Sequence, residues 1–294
     1  MRGFLRKMTS EVPEGGCNPD NPIKYFLRLN DEAISLNEHV GARISVNFTG
    51  KIQCIECGRA TKKSYSQGYC YPCFKKLAQC DLCIVSPERC HFDAGTCRDT
   101  GFAENFCMQP HIVYIANSSG IKVGITRQEN LPTRWIDQGA VQALPILNVM
   151  TRQQSGFVEV AFKQHISDKT QWRKMLSGEN PEVDLAQKRE ELFEEIASDL
   201  DSLTERFGLQ AIQPIGNAEV QTLVYPVLQY PAKVTSLSFD KSPEVTGVLH
   251  GIKGQYLIFD TGVINLRRFT SYEVSFNPET EAGGNEQESQ LSLL

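Results

Sequence analysis

Four cysteines, Cys54-Ile55-Glu56-Cys57 and, after twelve residues, Cys70-Tyr71-Pro72-Cys73, have the type and spacing of a tetrathiolate metal site. Each Cys-x-x-Cys pair sets two sulfurs on one tight turn, and two such turns complete the tetrahedron that zinc accepts. A site closed by four protein ligands holds a shape and performs no hydrolysis, so any catalysis must be sought elsewhere. Nine of the ten cysteines fall between Cys54 and Cys107, which leaves Cys80, Cys83, Cys90, Cys97 and Cys107 for a second site. Two sets are open. Cys80, Cys83, Cys90 and Cys97 use an ordinary Cys-x-x-Cys turn. Cys83, Cys90, Cys97 and Cys107, the favoured set, tie the segment to the stretch that begins at His111. His91 reads as a spectator beside Cys90 that could replace a thiolate. Four thiolates also suit an iron–sulfur or redox centre, although knuckles at this separation suit zinc better.

The metal reading depends on a reducing compartment. The chain has no run of about eighteen apolar residues, and its start, Met-Arg-Gly-Phe-Leu-Arg-Lys, lacks the apolar core of a signal peptide. A cytoplasmic protein with no membrane partner is expected, with Cys17 an ordinary thiol. Net charge is −5, which argues against a bulk polyanion binder. The acid is concentrated, however. Residues 1–107 carry 14 basic against 12 acidic side chains and 108–180 carry 8 against 5, whereas 181–206 carry 3 against 9. The first 180 residues are thus mildly basic, which keeps a nucleic-acid partner open.

These residues must be held by elements that the pattern also indicates. Strand-like alternation at Tyr25–Leu29, Ile34–Leu36 and Ile44–Phe48 feeds into the cysteine segment. The run Ile112–Ala116, a turn at Asn117–Gly120 and Ile121–Ile125 form a hairpin, followed by a short helix with Pro132 at its start and Gly139 at its stop. A helix is expected over 156–176, and a longer one from Asn180-Pro181 to Gly208 with an acidic solvated face. Period-two patterning then returns in Thr222–Tyr225, Val234–Phe239, Thr246–His250, Tyr256–Phe259 and Val263–Leu266. The resulting expectation is an α+β fold. A small antiparallel sheet or barrel combines N-terminal strands (1–53) with C-terminal ones (209–276). Between them lie a cysteine-rich zinc segment (54–108) and a hairpin-plus-helices domain (109–208). A polar, acidic stretch over 277–294 is expected to be disordered.

The order Ile112-Val113-Tyr114, Lys122-Val123-Gly124, Arg134 and Glu159 resembles the GIY-YIG nuclease superfamily over about residues 110–180. The resemblance implies phosphodiester hydrolysis. Tyr114 would orient or deprotonate the water, Arg134 would hold the phosphate, Glu159 would bind magnesium or a similar divalent ion, and Gly124 would permit close backbone packing. Lys122 stands where the second tyrosine would be and could contact phosphate without acting as a phenol. The seven residues between Tyr114 and Lys122 are a short spacing for that superfamily. Each residue also has a plain structural use: Glu159 with Lys163, for instance, makes an i,i+4 pair worth about 0.3 kcal/mol.

Over about residues 20–270 the chain is similar to the bacterial group called domain of unknown function 2797. Gly68-Tyr-Cys-Tyr-Pro-Cys-Phe74, Gln109-Pro-His-Ile-Val-Tyr114, Lys122-Val-Gly-Ile-Thr-Arg127 and Thr133-Arg-Trp-Ile-Asp-Gln-Gly-Ala140 carry that similarity, which implies no particular reaction. The last five residues, Gln290-Leu291-Ser292-Leu293-Leu294, resemble the peptide by which bacterial proteins bind the sliding clamp. Leu291, Leu293 and Leu294 would enter an apolar groove while Gln290 sets register, and a flexible linker would let the body act on nearby DNA. A clamp-recruited, zinc-containing nuclease is one reading. A non-catalytic nucleic-acid or clamp-binding module of the same fold is the other.

Overall fold

The structure, a computed structural model, describes residues 1–166 and 170–279. Gln290, Leu291, Leu293 and Leu294, with the rest of the acidic stretch from residue 280, lie outside the described residues. The chain opens with β1 (Arg2–Phe4), β2 (Thr9–Glu11), β3 (Lys24–Leu29), β4 (Glu32–Ser35) and the long β5 (Arg43–Ile52), of which β3 and β5 carry alternating buried apolar residues. The cysteine-rich segment follows, with α1 (Tyr71–Lys76) and α2 (Thr100–Phe106). Next come β6 (His111–Asn117), β7 (Ile121–Arg127), α3 (Thr133–Asp137), β8 (Gln142–Val149), α4 (Arg152–Phe162), α5 (Trp172–Met175), α6 (Leu185–Glu195) and α7 (Ala197–Phe207). The chain then forms β9 (Ile212–Pro214), β10 (Gln221–Thr222), β11 (Glu244–Lys253), β12 (Tyr256–Phe259), β13 (Gly262–Asn265) and β14 (Tyr272–Pro278).

N- and C-terminal strands do share a sheet. The order β1-β14-β5-β11-β12-β13 is antiparallel at every pair, with Val46 opposite both Val245 and Phe276. β3 and β4 do not join it; with β2 they make a separate three-stranded sheet. Val234–Phe239, expected as a strand, contributes one parallel rung, Ser236 to Val263, in place of a ladder. The third sheet runs β10-β8-β6-β7, with β9 paired to the other end of β8.

That third sheet is buried on both faces, which is why β6 reads as an unbroken apolar run. Ile112, Tyr114 and Ala116 point into a core shared with the six-stranded sheet, and Val113 and Ile115 into a core closed by Val158, Phe162, Leu185 and Leu192 of α4 and α6. The helix expected over 156–176 begins earlier and ends sooner. Thr151 and Gln154 form a reciprocal capping box at its start, and the apolar row Val158, Phe162, Ile166 outlasts the helix by a turn. The long acidic helix is two helices, broken at Ile196, whose backbone (φ −106°, ψ 13°) leaves the helical region while its side chain stays fully buried.

The cysteine-rich segment docks on the first turns of α4. A Cβ on Gly156 would lie 2.5 Å from the Glu88 amide nitrogen and 2.7 Å from Pro87 Cβ, so only glycine admits this approach. Arg152 donates from its backbone N–H to Cys107 O (2.8 Å) and from Nη2 to Ile84 O (2.6 Å), and Gln153 Nε2 donates to Cys90 O (3.0 Å). Gly156→Val is therefore expected to lower stability by about 1–3 kcal/mol through overpacking, measured by chemical denaturation. An unchanged midpoint would show that the two surfaces are not in tight contact.

Candidate metal centre and the adjoining Tyr114 and Arg134 cluster

The tetrad is assembled by local backbone bonds. Just past β5, Cys54 N–H donates to Arg59 O (2.9 Å) and Gly58 N–H returns to Cys54 O (3.1 Å), closing the first knuckle. Ile55 N–H donates to Gly68 O (2.9 Å), joining it to the second, where Tyr65 and Tyr69 pair and Cys70 caps α1, with Pro72 in the helix's first turn. The sulfurs of Cys54, Cys57, Cys70 and Cys73 all lie within 4.8 Å of one another. Zinc–sulfur bonds of about 2.3 Å place tetrahedral sulfurs about 3.8 Å apart, and Cys57 Sγ is 3.7 Å from Cys70 Sγ.

The acidities of these thiols fit a cation. Burial opposes ionisation of Cys54, yet the amide N–H groups of Cys57, Cys70 and Glu56 bring its thiol down to about 6. Cys73 is pushed the other way, by desolvation and then by the crowding of the other three sulfurs. Four thiolates meet at one point only if positive charge meets them there. The donor set can hold a metal ion and is compatible with zinc, which would supply structural rigidity.

Cys83, Cys90, Cys97 and Cys107 line one small cavity beside α2. Cys80 does not; it lies near Ser66, on the side facing Tyr69. His91, expected as a spectator, comes with Asp81 and Cys83 to within 4.8 Å, donor atom to donor atom.

Tyr114 pairs with Gly124 across the hairpin, and its ring lies over that glycine: a Cβ there would be 2.5 Å from Tyr114 Oη. The hydroxyl donates to Gln138 Oε1 (2.9 Å) and lies near Arg134, while the ring meets Trp135 edge-on at 6.0 Å. Burial raises its pKa; Arg134 opposes the rise and Glu159 adds to it. The phenol is thus protonated at neutral pH and sealed from solvent, in contact with Arg134, which is exposed. Arg134 also lies in the field of Arg152 and Arg267, each buried enough for desolvation to lower its pKa. Glu159 projects from α4 with its side chain 13% exposed and pairs with Lys163 at 3.2 Å. Lys122 is set apart: opposite Ala116 and nearly buried, it donates to Thr170 Oγ1 (2.6 Å).

Gln138, Arg152 and Arg267 belong to this cluster and carry no motif of their own. Only Arg152 had a legible signal, the Thr151-x-x-Gln154 box that places it in the first turn of a helix. His111, at the start of β6, is fully buried. Its Nδ1 bonds to Gln109 O (2.7 Å), and its Nε2 has no hydrogen-bond partner among the described residues.

The fold and the tetrad thus define a mixed α/β protein with antiparallel sheets and a four-cysteine cluster that could hold a metal ion. Residues 41–274 match the family model described as protein of unknown function, DUF2797, and the chain belongs to that family. No curated protein and no solved structure matches it. Among the described residues, no helix is long and apolar enough to cross a membrane.

Burial, with Arg152 and Arg127 adding to it, holds His111 at about 4, below its ordinary 6.5, against the pull of the Gln109 carbonyl. Because the unfolded chain takes up this proton first, stability should fall as pH drops from 6.5 towards 4, by about 3 kcal/mol from this group. His111→Asn is expected to lack that part of the acid loss. Parallel stability curves for the two proteins between pH 7 and pH 4 would contradict it.

Proposed function

We propose that this protein is a zinc-stabilised, nucleic-acid-associated phosphodiesterase whose GIY-YIG-like centre is formed by Tyr114, Arg134 and Glu159. The observation that supports the proposal is that Arg134 from α3 and Glu159 from α4 both act electrostatically on Tyr114 of β6, with Arg152 and Arg267 adding positive charge around Arg134. An exposed guanidinium with cationic neighbours suits a phosphodiester oxygen. Glu159 offers the carboxylate that a hard divalent ion such as magnesium takes alongside substrate oxygens. The ion would activate water for attack at phosphorus and relieve charge on the departing oxygen. Tyr114 enters as a positioning residue, its protonated hydroxyl holding Arg134. Lys122, bonded to Thr170, serves the chain beyond α4.

Incubation with magnesium or manganese and branched, nicked or flapped DNA should give cleavage that falls at least about a hundredfold in Glu159→Ala, the order seen when a charge-stabilising group is removed. Arg134→Ala should weaken substrate binding as well. The absence of cleavage on every such substrate would overturn the proposal.

One observation favours a second reading, a non-catalytic binding module: the Tyr114 hydroxyl is fully buried. That reading gives DNA or clamp binding that survives Glu159→Ala. Recruitment by a sliding clamp rests on the sequence of the last five residues, and removal of Gln290–Leu294 should abolish capture on immobilised clamp. Capture unchanged by the deletion would remove the clamp from the proposal.

A further inference from the structure

Outside the tetrad, thiols are gathered in one other place. Cys83, Cys90, Cys97 and Cys107 come from four different turns between the end of α1 and the start of β6, yet all four line the same small cavity. Two further donors stand at its wall, and both are already engaged. Asp81 accepts from Arg98 Nε (2.6 Å) and from the Leu82 N–H (2.6 Å). His91 has Nδ1 at 2.8 Å from Thr96 Oγ1 and Nε2 at 3.6 Å from Asp81. These two groups brace the wall, and the four thiols are the other donors that line the cavity.

The segment has little else to hold it. From Cys80 to Cys97 it is a chain of short 3-10 turns, Leu82–Ile84 and Pro87–Arg89 among them, with Pro87 its one buried residue. A stretch without a hydrophobic core that nevertheless keeps a fixed shape needs a cross-link. Disulfides are not formed; all ten cysteines are free.

We infer that Cys83, Cys90, Cys97 and Cys107 form a second tetrathiolate zinc site, and that filling it fixes the cysteine-rich segment against α4. The carbonyls of two of these cysteines grip that helix directly, Cys107 O on the Arg152 N–H and Cys90 O on Gln153 Nε2. Ile84 O, next to Cys83, takes Arg152 Nη2. Ligand side chains would face the ion while ligand backbones face α4, so occupancy and helix placement are one equilibrium.

The test is the zinc content of the full chain, purified without chelator and measured by mass spectrometry. Two zinc ions per chain are expected, falling to one in Cys97→Ser and in Cys107→Ser and remaining two in Cys80→Ser and His91→Ala. Cys73→Ser should lose the other ion, which separates this site from the tetrad. Cobalt substitution of the wild-type chain supplies a check that needs no variant: both cobalt ions should show intense thiolate charge-transfer absorption. One zinc per chain, lost on Cys73→Ser and kept on Cys97→Ser, would overturn the inference. So would loss of the second ion in Cys80→Ser with retention in Cys107→Ser, or iron–sulfur absorbance in the purified protein.

Discussion

Gly156 and the backbone of Pro87 and Glu88 approach so closely that one methyl group would close the gap. The placement of α4 against the cysteine-rich segment depends on that contact and on the hydrogen bonds from Arg152 beside it. Arg152 is half-buried, and desolvation lowers its pKa. A cation in such a place persists when a carbonyl oxygen satisfies it: Ile84 O takes its Nη2, while Cys107 O takes the backbone N–H of the same residue. One residue thereby ties three things together: the start of α4, the cysteine-rich segment and the positive field around Arg134. Because α4 also packs Val158 and Phe162 on the β6 face, its axial position is set from both ends. Glu159, on the same helix, inherits that position.

A second close approach, of the Tyr114 ring over Gly124, works on the opposite side of β6. The tyrosine crosses its own hairpin, donates to Gln138 and lies in the field of Arg134. Its buried hydroxyl acts as a fixed dipole: it orients an exposed guanidinium and gains little chance to ionise. The cost of grouping Arg134, Arg152 and Arg267 is offset in part by Asp137. That carboxylate lowers the repulsion felt by Arg267, pairs with Lys7 and accepts from Gln255 Nε2 (2.9 Å). N-terminal, central and C-terminal stretches therefore meet around one short helix, α3.

Where chemistry sets spacing, the sequence was readable. The tetrad could be read from two Cys-x-x-Cys turns, and the hairpin from the alternation around Asn117–Gly120, because each is local. The antiparallel sheet of N- and C-terminal strands followed from period-two patterning at both ends. Three features were not legible in the same way. Ile196 continues the apolar row of the acidic helix, so its side chain gives no sign that the backbone breaks there. β3 and β4 alternate like β5, and which sheet they join is decided by tertiary packing. Gln138 is an ordinary residue in sequence, and the Thr151 box shows only that Arg152 opens a helix; their roles exist only once β6, α3 and α4 are brought together.

Hydrogen exchange before and after metal is stripped from the full chain tests most directly whether the cysteine-rich segment holds α4 in place. Amides over 78–107 and over 155–162 should lose protection together, while those of β5 and β14 in the six-stranded sheet keep theirs. Unchanged protection across α4 in the stripped protein, with exchange rising only in the cysteine-rich segment, would contradict it.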